Sequence, residues 1–272
     1  MRRIILATVI AIVAHSAQAA DMPDLPILRG AMTEGFSTTM PVWQGFYVGG
    51  QWGTGRSGTD FSSATSDIAN KMTALTALNP SLAPSLAPVL DRSGVSANGY
   101  GAFVGYNSQW DDVIVGLEAN YMHINFSSSD TNLVVRQFTD SNNFTNTLAY
   151  DGTARFNITD MGTIRARAGY AFSWFLPYVF GGVALGQANI EKSAHIYGTQ
   201  ANNVTPFQTV PFDASLRTYS NGRFIYGYAA GLGVDVQLMA GLFLRAEWEY
   251  VQFTSEFNTN INTVRAGLGY KF

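Results

Sequence analysis

Asn262-Thr263-Val264-Arg265-Ala266-Gly267-Leu268-Gly269-Tyr270-Lys271-Phe272 closes the chain, and its alternation decides the fold. One set of positions carries Val264, Ala266, Leu268, Tyr270 and Phe272; the other carries Thr263, Arg265, Gly267, Gly269 and Lys271. A helix would scatter both sets around its circumference, whereas a strand separates them onto opposite faces. The same period of two recurs upstream. Leu242, Leu244, Ala246, Trp248 and Tyr250 oppose Arg245, Glu247 and Glu249. Alternate positions from Phe224 to Val236 oppose Gly227, Gly231, Gly233 and Asp235. Val113, Val115, Leu117, Ala119 and Tyr121 oppose Gly116, Glu118 and Asn120, and Ile164, Ala166, Ala168 and Tyr170 oppose Thr163, Arg165, Arg167 and Gly169. Three further runs, near 43–56, 99–109 and 174–192, are strand-like, although Gly49-Gly50 and Gly181-Gly182 blur their parity.

Eight strands follow, joined by connections of two kinds. Short ones fall at Trp110-Asp111-Asp112, Phe172-Ser173-Trp174 and Met239-Ala240-Gly241; long polar ones fall near 57–98, 127–152 and 193–222, with a shorter one near 254–260. The expected fold is all-β: an eight-stranded antiparallel up-and-down transmembrane β-barrel with long extracellular loops and both termini on the short-turn side. A soluble eight-stranded barrel is the competing architecture. Its outer face would then be the one built of Gly, Ala and few charges, a poor solvation layer. Aromatic placement favours the membrane. Trp43, Phe46, Tyr106, Trp110, Tyr170, Trp174, Tyr270 and Phe272 gather at the short-turn rim, and Tyr100, Tyr121, Tyr226, Tyr228 and Tyr250 at the other. Two such belts suit a bilayer's two interfaces.

Composition agrees. The 272 residues are 47% hydrophobic and 13% charged, against roughly 25% charge in an average soluble domain. With no cysteine, disulfides, thiolate metal sites and a cysteine nucleophile are excluded. A net charge of −3 lacks the basic excess of a nucleic-acid binder. Residues 1–19 have the form of an export signal: Arg2 and Arg3, an apolar run from Ile4 to Ala14, then Ala17-Gln18-Ala19. Residues 20–42, with Pro23, Pro26 and Pro41, read as a periplasmic linker, and residues 43–272 as the barrel. In the first long segment, Pro80, Pro84 and Pro88 interrupt helix-like spacing of Leu75, Leu78, Leu82 and Leu86. A surface loop is expected there, with insertion into the barrel mouth as the alternative.

The inward face carries Arg165, Arg167, Arg245 and Arg265 against Glu118, Asp235, Glu247 and Glu249, with Lys271 at the exit. A selective aqueous pore would show a surplus of one sign. Balanced charge in a lumen only wide enough for its own side chains implies mutual pairing and a plugged barrel. The competing expectation is a wider, hydrated lumen in which these groups are solvated.

Trp43-Gln44-Gly45-Phe46-Tyr47-Val48-Gly49-Gly50, Arg165-Ala166-Arg167-Ala168-Gly169-Tyr170, Pro177-Tyr178 with Gly181-Gly182-Val183-Ala184, and the closing strand resemble the small porin-like, opacity-type outer-membrane proteins of alphaproteobacteria. That family is similar to the OmpA membrane domain in having eight strands. The resemblance implies a non-enzymatic envelope protein and surface antigen that meets outer-membrane lipid and lipopolysaccharide, with slow diffusion of small solutes as a secondary role. It also implies that Phe272 is read by the outer-membrane assembly machinery. Loop-borne ligands do not transfer; a host surface or haem is the alternative partner, with His195 beside Tyr197 as the candidate haem or metal ligands. No resident cofactor or metal is otherwise expected. Lipid A modification through His123 is the least favoured reading, since no carboxylate is spaced to orient the ring.

Overall fold

The computed structural model describes residues 42–64, 68, 71, 90–139, 143–239, 241–254 and 257–272. The export signal at 1–19, all of the linker but Val42, and residues 72–89 of the first long segment lie outside the described residues. The strands are β1 Gly45–Asp60, β2 Arg92–Trp110, β3 Val113–Thr139, β4 Phe144–Tyr170, β5 Phe175–Asn202, β6 Thr209–Met239, β7 Leu242–Thr254 and β8 Asn258–Lys271. Each pairs antiparallel with the next and β8 returns to β1, so the sheet closes. Closure satisfies the backbone N–H and C=O groups of every wall strand, which a lipid-facing sheet requires.

Side-chain alternation runs as the sequence implies. Val264, Leu268 and Tyr270 point out, about half exposed, while Thr263 and Arg265 point in and are buried. The rims also separate. On β2, Trp110 and Tyr100 are 61% and 64% exposed and lie ten residues apart, roughly 33 Å along the strand. A strand tilt of about 40° reduces that to roughly 25 Å, the height of the apolar band of such barrels. Tight turns close the end nearer the termini. The β6–β7 turn needs glycine: Gly241 has φ +85°, and a Cβ there would stand 2.5 Å from the Lys271 carbonyl oxygen.

The long polar segments depart from expectation. Residues 127–152 and 193–222 are mostly strand: β3 and β4 stay paired to Thr139↔Thr145, and β5 and β6 to Ala201↔Thr209. β8 likewise takes Asn258 to Asn260 from the segment near 254–260, and β1 and β2 run to Asp60 and Arg92. Because β2 leaves β3 at Ile124 and β7 joins β6 only from Gly227, β3–β6 continue past the ring as a four-stranded paddle. Register shifts at His123/Phe126, Ile158/Asp160 and Ala188/Ile190 mark the departure, where bulges re-aim the strands. Polar residues on a strand face that meets water remove the apolar alternation, which is why the composition imitates loops.

Inside, the barrel is stratified. Toward the turns lie Trp43, Tyr47, Phe103, Ile114, Leu176, Tyr178, Phe180 and Phe243. Toward the paddle lie Met122, Ile124, Phe126, Phe156, Phe253, Phe257 and Ile261 among others. The described start of the first long segment belongs to the interior, not to a surface loop: Phe61 and Ala64 join the paddle-side layer, and Ile68 is buried against Leu148, Tyr150, Ala194 and Ile196 of the paddle.

Candidate functional site

Between these two apolar layers sits the charge. Register alone sets three of its pairs opposite each other: Glu118↔Arg165 across β3–β4, Asp235↔Arg245 across β6–β7, and Glu247↔Arg265 across β7–β8. From there the side chains reach across the lumen. Arg165 donates to Glu118, to Glu247 and, at 3.3 Å, to Glu249. Arg245 grips Asp235 with Nε and Nη2, at 2.8 and 3.0 Å, and gives Nη1 to Glu118 at 2.7 Å. Arg167 donates to Asp235 at 2.7 Å. Arg265 places Nη2 2.9 Å from Glu249 and 3.2 Å from Glu247, and Nη1 donates to Asn120 at 3.1 Å. The structure thus brings together all eight charged residues named from the sequence, their side chains at most 2% exposed. Lys271 stands apart at the turn-side end, its Nζ 3.4 Å from the Gln44 carbonyl.

Aromatic residues complete the cluster, and the sequence reading did not assign them to it. Tyr47 donates to Glu118 at 2.7 Å and Tyr178 to Glu247 at 2.6 Å. The Arg165 guanidinium lies 3.9 Å above the Phe180 ring, Arg167 3.7 Å above Tyr178, and Arg245 4.0 Å above Phe103. A cation held over a ring face keeps electrostatic compensation where water is absent. The inward parity of Tyr47 was legible from its outward neighbours Phe46 and Val48; Gly49-Gly50 obscured it. Inward glycines make room for the rings. A Cβ on Gly231 would collide with the edge of Phe180 and with the Trp248 carbonyl oxygen. Gly231→Val is expected to cost on the order of 1–3 kcal/mol through overpacking, seen as a lowered urea midpoint of the refolded protein, whereas the same change at outward Ala230 leaves the midpoint unmoved.

His123 requires a correction. Its ring does have an orienting carboxylate: Asp160, the cross-strand partner on β4, lies 2.9 Å from Nδ1 and also accepts from Tyr121 Oη at 2.6 Å. Sequence spacing along one strand could not show a partner set by register. The Tyr100 ring stands 5.4 Å from the imidazole, so His123 belongs to an aromatic and polar cluster on the outer face of the wall. His195 and Tyr197 lie on the outer face of the paddle, ring centroids 4.8 Å apart, with His195 Nε2 3.1 Å from Asp213. One ring nitrogen is therefore already engaged by a carboxylate. Haemin titrated into refolded protein is expected to give the same spectrum for wild type and His195→Ala; a Soret shift lost in the variant would restore a haem site.

A closed eight-stranded ring with apolar side chains outside and paired charges inside defines an outer-membrane β-barrel. The chain belongs to the family described as outer membrane protein beta-barrel domain, whose profile matches residues 6–272. It is 27% identical over 291 aligned positions to the 31 kDa outer-membrane immunogenic protein of Brucella melitensis biotype 1, covering all of both chains. It is 24% identical over 172 residues to the 25 kDa outer-membrane immunogenic protein of Brucella ovis, an alignment spanning 63% of this chain and 62% of that protein. Among solved structures it is similar to Ail, the attachment invasion locus protein of Yersinia pestis, with a TM-score of 0.36 and 14% identity over 84% of this chain and 99% of that one. Neisserial surface protein A gives 0.33 and 13% over 84% and 97%. The protein resides in the outer membrane as a barrel with a structural and surface role.

Proposed function

We propose that the protein is a sealed barrel that anchors a surface paddle in the envelope, rather than a diffusion channel. The observation that carries this is the layered lumen: four arginines and four carboxylates, buried between the rings of Phe103, Tyr178 and Phe243 on one side and those of Phe126, Phe156, Phe253 and Phe257 on the other. Permeating ions would have to cross both apolar layers, where they lose hydration without gaining partners. Residues 1–19 act as the export signal, which puts the short turns and termini in the periplasm and the paddle outside. Phe272 serves as the assembly signal; its outward ring, 74% exposed, packs edge-on against Tyr270, and its N–H donates to the Phe46 carbonyl, so the last residue is held in the wall. The test is single-channel recording from purified protein in a planar bilayer, where no steady current is expected and a large one would overturn the sealed barrel.

A further inference from the structure

A polar hollow opens on the outer wall, away from the lumen. Its cavity of about 290 Å³ lies across β8, β1 and β2, between Arg56, Arg92, Asn260 and Asn262 and over Gly58 and Gly94. Strand register shows how it is built. Arg56 stands between Asn262 and Ser96, and Gly58 between Asn260 and Gly94. All are on the parity of Trp52, the outward one. The Arg56 guanidinium lies beside Gly94, where a Cβ would be 3.9 Å from both Nε and Nη2, in ordinary contact. Arg92 pairs with Asp60 at 3.1 Å. The Ser62 N–H and Arg92 hold the Asp60 carboxyl below its ordinary range, so that pair cancels. Among the described residues Arg56 has no carboxylate partner, and the hollow there carries one uncompensated positive charge flanked by the Asn260 and Asn262 amides.

Depth identifies the ligand. Trp52 and Tyr100, cross-strand neighbours 58% and 64% exposed, mark the interface on this side of the wall. Arg56 is four residues further toward the paddle, roughly 13 Å along the strand and, at a tilt of about 40°, some 10 Å higher. That is headgroup depth, reached on the same side of the barrel where the acyl chains would lie against Trp52, Val264 and Ala266 below. Arginine fits a phosphate oxygen pair through its planar fork, and amide side chains supply further donors to the sugar. We infer that Arg56 and the surrounding hollow bind a phosphate of a phosphorylated glycolipid headgroup in the outer leaflet, fixing one lipid molecule against the β8–β1–β2 wall. The inference rests on the outward orientation of the paddle proposed above.

Native mass spectrometry of the full chain, refolded in detergent, tests it against bis-phosphorylated lipid A and the same lipid after enzymatic dephosphorylation. Detergent solution has no inside or outside, so this outcome is independent of the orientation, which protease accessibility on cells reads separately. One bound lipid A is expected on wild type. Affinity should fall at least fivefold in Arg56→Gln and again on dephosphorylation, and remain unchanged in Arg136→Gln, an exposed arginine at the paddle end of β3. All variants should keep the heat-dependent gel shift of the folded barrel. Equal binding by Arg56→Gln or by dephosphorylated lipid overturns the site. Competition by inorganic phosphate or a polysulfated sugar at the concentration at which lipid A itself binds would overturn the headgroup as the ligand, because acyl contacts would then add nothing.

Discussion

Arg165→Met is expected to cost the barrel about 3–5 kcal/mol, the range for breaking a buried ion pair from one side. Arg165 ties three carboxylates together, Glu118, Glu247 and Glu249, in a site its side chain shares with no solvent. Its removal leaves four anions facing three cations among fully buried side chains. The urea midpoint of refolded protein should drop accordingly, while Arg217→Met on the solvated paddle, whose guanidinium pairs with Glu191, changes it little. Removing an opposite charge as well separates pairing from packing. The double variant Arg165→Met/Glu249→Leu should recover part of the loss, since the remaining charges balance again. A double variant less stable than the single one would show that the network is not held by charge compensation.

Conductance gives the second large effect. Wild-type protein should pass no steady current, and Glu247→Ala/Arg265→Ala, which removes one cross-strand pair, should pass none either. Phe126, Phe156, Phe253 and Phe257 on the paddle side and Tyr47, Phe103 and Phe243 on the turn side still close the path. Opening should demand thinning both ring layers. Current appearing in the charge-pair variant alone would relocate the barrier from the rings to the ions, and the barrel would then be a gated pore.

The ring layers were hard to read because aromatic residues of this chain stand on both faces. Outward Trp52 and inward Phe103 have the same chemistry, and parity near Gly49-Gly50 and Gly181-Gly182 is ambiguous without a partner strand. The ionic layer was easier, since Arg165, Arg167, Glu247 and Glu249 occupy alternate positions in runs whose other face is plainly apolar. The paddle resisted for another reason. In Ser127–Thr139 and Thr209–Ser220, polar side chains fall on both faces, and such strands are held by the ladder and by a cover from residues such as Ile68, far off in the chain. The Asp160 partner of His123 lies 37 residues away and is placed by a bulge that no local pattern encodes.

Local chemistry, read along the chain, was sufficient to establish eight strands, the outward and inward faces of five of them, and a lumen of balanced charge. These are properties of neighbours two residues apart, which the pleat converts directly into sides of a sheet. Closure of the ring decided the rest: which arginine meets which carboxylate, that aromatic layers flank the ionic layer on both sides, that β3–β6 outrun the barrel, and that Arg56 lies beside Gly94. Each depends on register between strands distant in sequence, where a slip of one residue would turn every side chain to the opposite face.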